Sequence, residues 1–334
     1  MAHLQPVADE MIREWPEILE VDRHLKAELA SQVPLMREVI DHLTSRGGKK
    51  LRPKLVYLCG NFAGEGRGEG RGADPDAIKD VATAVELIHL ASLVHDDIID
   101  RSRTRRGKPT VNALWGNHVS VLAGDYLFAK AFSLLTRQNQ YGVVEIASAT
   151  IAVMCEGEIE QAEQAYDCDL SFDQYFRRAE RKTACLLAAS CRIGAAVSRA
   201  PRKVQDALEV YGRQMGYAYQ IVDDLLDLTA DRKVLGKPVG ADLHQGIVTL
   251  PVVFLLQDEG WRAKVAPLIT ARAVTAPVIA QVRKGLRESG AIERSFEVAR
   301  QCAARAREAL AALPAAPERD ILGALADYVV TRPS

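Results

Sequence analysis

The chain has no Cys-x-x-Cys pair. Its six cysteines, Cys59, Cys155, Cys168, Cys185, Cys191 and Cys302, are scattered, which gives no footing to a zinc ribbon or a disulfide framework and suits a reducing cytoplasm. Aromatic residues are scarce at 6%, and that shortage, beside abundant Ala and Leu, argues against an all-β sandwich and for helices. An excess of one charge is missing as well. Against 43 Lys+Arg stand 44 Asp+Glu, a net charge of −1, so no general basic field draws the chain to nucleic acid, and any polyanion site must be local. Nowhere does a run approach the ~18 uninterrupted apolar residues of a membrane span, and the stretch from Met1 through Asp9, Glu10 and Arg13 lacks the apolar centre of a leader. The expectation is a soluble, cytoplasmic protein with no transmembrane segment. What is present is an ordinary globular balance, 48% apolar and 26% charged, enough for a sizeable core and too apolar for disorder.

Apolar residues recur at three- and four-residue steps. Ile78, Val81, Ala82, Val85, Ile88, Leu90 and Val94 form one such face, and similar runs follow at 117–136, 142–165 and 172–199. Breaks fall at Pro53, Pro109, Pro201, Pro238 and Pro251, where helix ends are expected. The pattern predicts about ten to thirteen helices and no persistent strand. Between Gly64 and Gly72 a glycine stands at every second position, which predicts an exposed loop. With no linker or composition shift, the fold class is all-α, a single large helical bundle domain over 1–334.

Chemistry concentrates in two segments. In His95-Asp96-Asp97-Ile98-Ile99-Asp100, Asp96 and Asp100 share one helix face. Stacked like charges cost stability, yet they close a helix that is apolar up to Val94. Such carboxylates suit Mg²⁺, a hard ion that takes one or two of them and fills its octahedron with water and phosphate oxygens. Gln220-Ile221-Val222-Asp223-Asp224-Leu225-Leu226-Asp227 repeats the spacing after a second apolar stretch. One such cluster is an ordinary solvated face. Two of them predict carboxylates gripping several cations around a diphosphate.

Cations complement the acids: Gly48-Lys49-Lys50-Leu51-Arg52, Arg101 through Lys108, Arg181-Lys182-Thr183, and Lys237. Arg105 and Arg106 follow the first cluster closely enough to clamp phosphates. Glycine before Lys49 lets backbone approach an anion.

This constellation resembles the trans-prenyl diphosphate synthases over roughly Lys49 to Pro251. The family's first aspartate-rich motif appears as Asp96-Asp97-Ile98-Ile99-Asp100 followed by Arg105-Arg106-Gly107, and its second as Gln220 through Asp227. The resemblance implies the isoprenoid-synthase helical fold and condensation of isopentenyl diphosphate with an allylic diphosphate. It implies Mg²⁺ on Asp96, Asp100, Asp223 and Asp227, with Asp97 and Asp224 in support. Gly48, Lys49, Arg52, His89 and Arg106 would grip isopentenyl diphosphate, and Arg105, Lys182, Thr183, Gln220 and Lys237 would face the allylic diphosphate. Within the family the pattern, including Leu235-Gly236-Lys237-Pro238, resembles the large catalytic subunit of bacterial heptaprenyl diphosphate synthase. One departure is Ile247 after Gly246, where many members carry Lys. The partner implied is either a second copy or a small regulatory subunit, and the products implied feed quinone side chains, with delivery at a membrane surface.

Short-chain members resembling this chain place a bulky aromatic at the position of Ala91. With Ala91, Ser92 and Ile88 expected along the tail pocket, and no aromatic there, a medium or long product is expected. Phe128 and Phe132 are candidates for its floor, with core packing as the plainer role. A class I terpene cyclase would use one diphosphate and has no need of the Lys49/Arg52 grip. A non-catalytic subunit usually loses aspartates that are intact here. A nucleic-acid binder would need a continuous basic stripe.

Overall fold

The computed structural model describes residues 15–45, 48–62, 74–105, 107–230 and 239–331. Fifteen α-helices fall among them, more than the periodicity alone resolves, because short pieces such as Ala241–His244 and Leu250–Leu255 are separate helices. The fold is all-helical. Among the described residues the strand content is a two-residue antiparallel pairing of Thr104–Arg105 with Lys108–Pro109, register Arg105 to Lys108. The Gly64–Gly72 loop lies outside the described residues, as do Gly47, Arg106, Lys237 and Pro238.

The chain divides into two compact units. The first gathers Met1–Ile151, Leu186–Gly212 and Ala309–Leu325. At its centre is the Pro75–Ile99 helix, begun by Asp74, whose side chain accepts the Asp76 N–H at 3.1 Å, and by Pro75 in the first turn. Val81, Ala82, Val85, Leu87 and Ile88 are all buried. A helix apolar on most of its circumference must be covered on most sides, and the Val111–Arg137, Leu51–Gly60 and Pro16–Glu28 helices pack on it. Each fully buried Leu or Ile contributes about 1.5–3 kcal/mol. Gly194 sets how closely the Cys185–Val197 helix approaches Leu51–Gly60, since a Cβ there would stand 2.3 Å from the Val56 carbonyl oxygen.

Val111–Arg137 is long and apolar enough to cross a membrane by length and composition. It is nonetheless kinked at Gly116 (φ 82°), broken by Asn117, His118, Asp125 and Lys130, and packed on the central helix. It is not a clear membrane span.

The second unit gathers Ala152–Cys185, Arg213–Glu308 and Ala326–Ser334. The run expected as one helix over 172–199 is three segments. Phe172–Ala179 opens with a capping box between Ser171 and Gln174. A π-helical stretch, Glu180–Ala184, follows, and Cys185–Val197 continues beyond it. Two glycines explain how this widened turn fits: a Cβ at Gly157 would stand 2.5 Å from Arg181 Cβ, and one at Gly216 would stand 2.5 Å from Ala184 Cα. Glu180 is pinned by Arg213 Nε at 3.1 Å and by the Tyr217 hydroxyl at 3.0 Å. Single-turn π segments concentrate at functional sites, and this one carries Lys182 and Thr183.

Candidate active site

In the first unit the central helix ends in its acidic motif. Asp96 and Asp100 are half-exposed and one turn apart, with Ser92 and His89 on the same partly open face, while Asp97 on the adjoining face is 3% exposed. Arg105 Nε donates to Asp97 Oδ1 at 2.8 Å. Asn112 Nδ2 donates to the Asp97 and Ser102 carbonyls at 3.1 and 3.2 Å, and Thr110 Oγ1 donates to the Ser102 carbonyl at 2.8 Å. The basic hairpin is thereby strapped to the helix end, and Asp97 is its anchor.

Ala91 and Ile88, expected beside the growing tail, are fully buried in the core, whereas Ser92 is half-buried and its hydroxyl donates to the His89 carbonyl at 2.9 Å. Phe128 packs against His95 at 5.9 Å between ring centroids. His95 itself lies over Gly124, where a Cβ would clash at 2.1 Å, so it is a packing residue.

Gly48 and Lys49 are exposed and precede the Leu51–Gly60 helix, in whose first turn Arg52 lies half-buried. Lys50 between them takes a left-handed backbone (φ 45°) and turns inward, 3.0 Å from Asp22 and 3.1 Å from Glu86. Burial works against its charge, but the two carboxylates prevail and raise its pKa.

In the second unit Gln161, Lys182, Gln220, Asp224, Tyr175 and Asp242, among others, line one small open pocket. Thr183 Oγ1 donates to Gln220 Oε1 at 2.5 Å, Gln220 Nε2 to Asp224 Oδ1 at 2.7 Å, and the Tyr175 hydroxyl to Asp224 Oδ2 at 2.7 Å. Lys182 Nζ donates to Gln161 Oε1 at 3.0 Å. Burial, then the charge of Asp242, pushes Asp224 up to about 7, against hydrogen bonds from Tyr175 and Gln220 and the charge of Arg178. Burial likewise lifts the Tyr175 hydroxyl, helped by Asp224. Asp223 is half-exposed, while Asp227 is buried and its Oδ2 accepts the Asp242 N–H at 3.3 Å.

Gln161, Tyr175 and Arg178 escaped the sequence reading. A lone glutamine, tyrosine or arginine on a helix has no spacing partner to mark it, and only the fold shows them at the pocket.

The donor set is compatible with a divalent cation. Among the described residues no group of three His, Cys, Asp or Glu side chains forms a closed cage. Hard carboxylate oxygens on half-exposed Asp96, Asp100 and Asp223 leave coordination positions for water and phosphate, as Mg²⁺ prefers, while Asp227 is buried.

The polyprenyl synthetase family model matches residues 33–286. Heptaprenyl diphosphate synthase component 2 of Bacillus subtilis (strain 168) is 40% identical over 314 residues, 93% of this chain and 87% of the relative. The polyprenyl synthase of Caulobacter crescentus CB15, solved with calcium and isoprenyl diphosphate, matches with TM-score 0.88 at 34% identity, covering 98% of this chain and 97% of that one. Heptaprenyl diphosphate synthase of Staphylococcus aureus matches with TM-score 0.86 at 30% identity, covering 95% and 97%. The family match, on an all-helical fold carrying two acidic helix segments, places the chain among isoprenoid-transferring enzymes. The chain belongs to the polyprenyl synthetase family, and it is a chain-elongating trans-prenyltransferase.

Proposed function

We propose that the chain condenses isopentenyl diphosphate with an allylic diphosphate such as farnesyl diphosphate, giving an all-trans heptaprenyl diphosphate for quinone side chains. The observation that carries this reading is the pair of Asp-Asp-x-x-Asp motifs, each closing an apolar stretch of helix, in a chain similar to the Bacillus heptaprenyl synthase component.

Asp96, Asp100, Asp223 and Asp227 would hold Mg²⁺. When bound, that ion supplies Lewis-acid polarisation of the leaving diphosphate. Arg105, Lys182 and Lys237 set positive charge against the departing diphosphate, so that preorganised cations meet charge as it develops. Thr183 and Gln220 turn oxygen lone pairs toward the allylic carbon. Gly48, Lys49, Arg52, His89 and Arg106 hold isopentenyl diphosphate for attack by its double bond. The released diphosphate takes the last proton, so no dedicated base is required. Asp97 and Asp224 serve as supports, consistent with their burial and their bonds to Arg105 and Gln220.

One polyprenyl synthase domain spans 1–334 in this reading, supported by a family match that runs through segments of both compact units. The chain works in the cytoplasm and as a dimer; exposed Leu114, Val121 and Leu122 on the Val111–Arg137 helix support such pairing. The name "component 2" of the Bacillus relative favours a small regulatory subunit as the partner over a second copy. Product sizing tests the whole reading. With Mg²⁺, farnesyl diphosphate and labelled isopentenyl diphosphate, a ladder ending at the heptaprenyl alcohol after dephosphorylation is expected. A ladder stopping at geranylgeraniol would refute the chain length.

A further inference from the structure

Asp224 is 3% exposed. Gln220 Nε2 donates to its Oδ1 at 2.7 Å. Gln220 Oε1 is left pointing at Thr183, 2.5 Å away, where it can only accept. The Thr183 hydroxyl donates to it, so its hydrogen is engaged by Gln220.

The other carboxylate oxygen of Asp224 is held by the Tyr175 hydroxyl at 2.7 Å. Tyr175 is itself immobilised: it is 1% exposed, its ring meets Phe176 edge-on at 5.7 Å, and the Arg178 guanidinium lies 5.8 Å from its centroid. Arg178 in turn donates to the Val248 carbonyl at 2.5 Å. Hydrogens thus run in one direction, from Thr183 to Gln220 to Asp224, with Tyr175 closing the far end.

We propose that Tyr175 is a positioning residue: by holding Asp224 it fixes the amide of Gln220 and the hydroxyl of Thr183 so that lone pairs, and not hydrogens, face the reacting allylic carbon. The inference rests on the proposed role of Thr183 and Gln220. Tyr175 is almost wholly buried and acts through Asp224. Its effect belongs to the chemical step, because a flipped Gln220 amide would present an N–H dipole of the wrong sign to developing positive charge.

The test is Tyr175→Phe in the full chain, supplied with its partner subunit where wild-type turnover requires one. Three quantities are read: kcat per folded chain, Kd for farnesyl thiodiphosphate by calorimetry with Mg²⁺, and kcat in a Gln220→Ala background. Expected are a kcat lower by about tenfold or more, a Kd within about twofold of wild type, and no further loss when Tyr175→Phe is added to Gln220→Ala, as for residues acting as one unit. An unchanged kcat, or losses that multiply, would overturn the proposal. If Tyr175→Phe does not fold, Asp224→Asn carries the test, because an amide there no longer dictates which end of Gln220 faces it. The same fall in kcat at retained Kd is expected, and wild-type kcat would overturn it. A wild-type chain that does not elongate defeats the parent reading. One that elongates while these variants match it defeats this inference alone.

Discussion

Arg105 Nε lies 2.8 Å from Asp97 Oδ1, and this pair welds the basic hairpin to the end of the helix that carries Asp96 and Asp100. The middle aspartate of the motif is structural in position, whereas Asp96 and Asp100 are half-exposed. Asp97→Ala should strand Arg105 and release the hairpin, at a cost of about 2 kcal/mol for the lost charged hydrogen bond. Urea unfolding measures this. Asp96→Ala should leave the midpoint within experimental scatter and cut turnover at least about a hundredfold, since half-exposed carboxylates serving ligand binding add little to stability. The reverse ranking of the two variants would contradict the division of labour.

Lys50 stands between Lys49 and Arg52 in the chain and is anchored inward. Its left-handed backbone and its pairing with Asp22 and buried Glu86 make Lys50→Ala a loss of about 3 kcal/mol, because Glu86 is left buried without this cation. The KM for isopentenyl diphosphate should rise severalfold while the KM for the allylic substrate changes little. Steady-state kinetics with each substrate varied in turn separate the two.

Asp224 gives a pH signature in metal-free protein. Its folded-state value of about 7 stands above the ordinary 3.8, so the folded chain holds this proton more tightly than the unfolded chain does. Stability from this group is full below about pH 4, falls as pH rises and is gone above about pH 7. Asp224→Asn removes the dependence. Wild type should lose on the order of a few kcal/mol relative to the variant between about pH 4 and 8, measured as the difference between two denaturation series. Parallel series would show that burial does not raise this carboxyl.

The π-helical stretch depends on close helix approach. Gly216→Ala places a methyl 2.5 Å from Ala184 Cα, so the Arg202–Thr229 helix and the Glu180–Ala184 segment must separate. Destabilisation of about 1–3 kcal/mol follows from overpacking. A loss of kcat should accompany it, since Thr183 and Gln220 lie on the two elements pushed apart.

Much of the proposed site was marked out in the sequence because its chemistry is periodic. Asp96/Asp100 and Asp223/Asp227 announce themselves by four-residue spacing behind apolar runs, and Lys49 and Arg52 by a glycine and a proline beside them. Spacing could not separate Asp97 from its neighbours, since burial is decided by which helix packs on which face. Nor could it show the π turn, because the glycines that make room for it, Gly157 and Gly216, lie on other segments. Tyr175 and Gln161 gain meaning only from long-range partners, Asp224 and Lys182. Helix spacing set Ala91, Ser92 and Ile88 behind Asp96 as tail-lining residues, and the structure buries Ala91 and Ile88 and leaves Ser92 half-buried.

The central claim is condensation of two diphosphates. Its most direct test is the stoichiometry of diphosphate release from farnesyl diphosphate, with and without labelled isopentenyl diphosphate, in Mg²⁺ and again after chelation. The account predicts one diphosphate released for each isopentenyl unit incorporated, and neither event after chelation or in Asp96→Ala. Diphosphate released from farnesyl diphosphate alone, with no label incorporated when isopentenyl diphosphate is supplied, would contradict it and make the chain a cyclase.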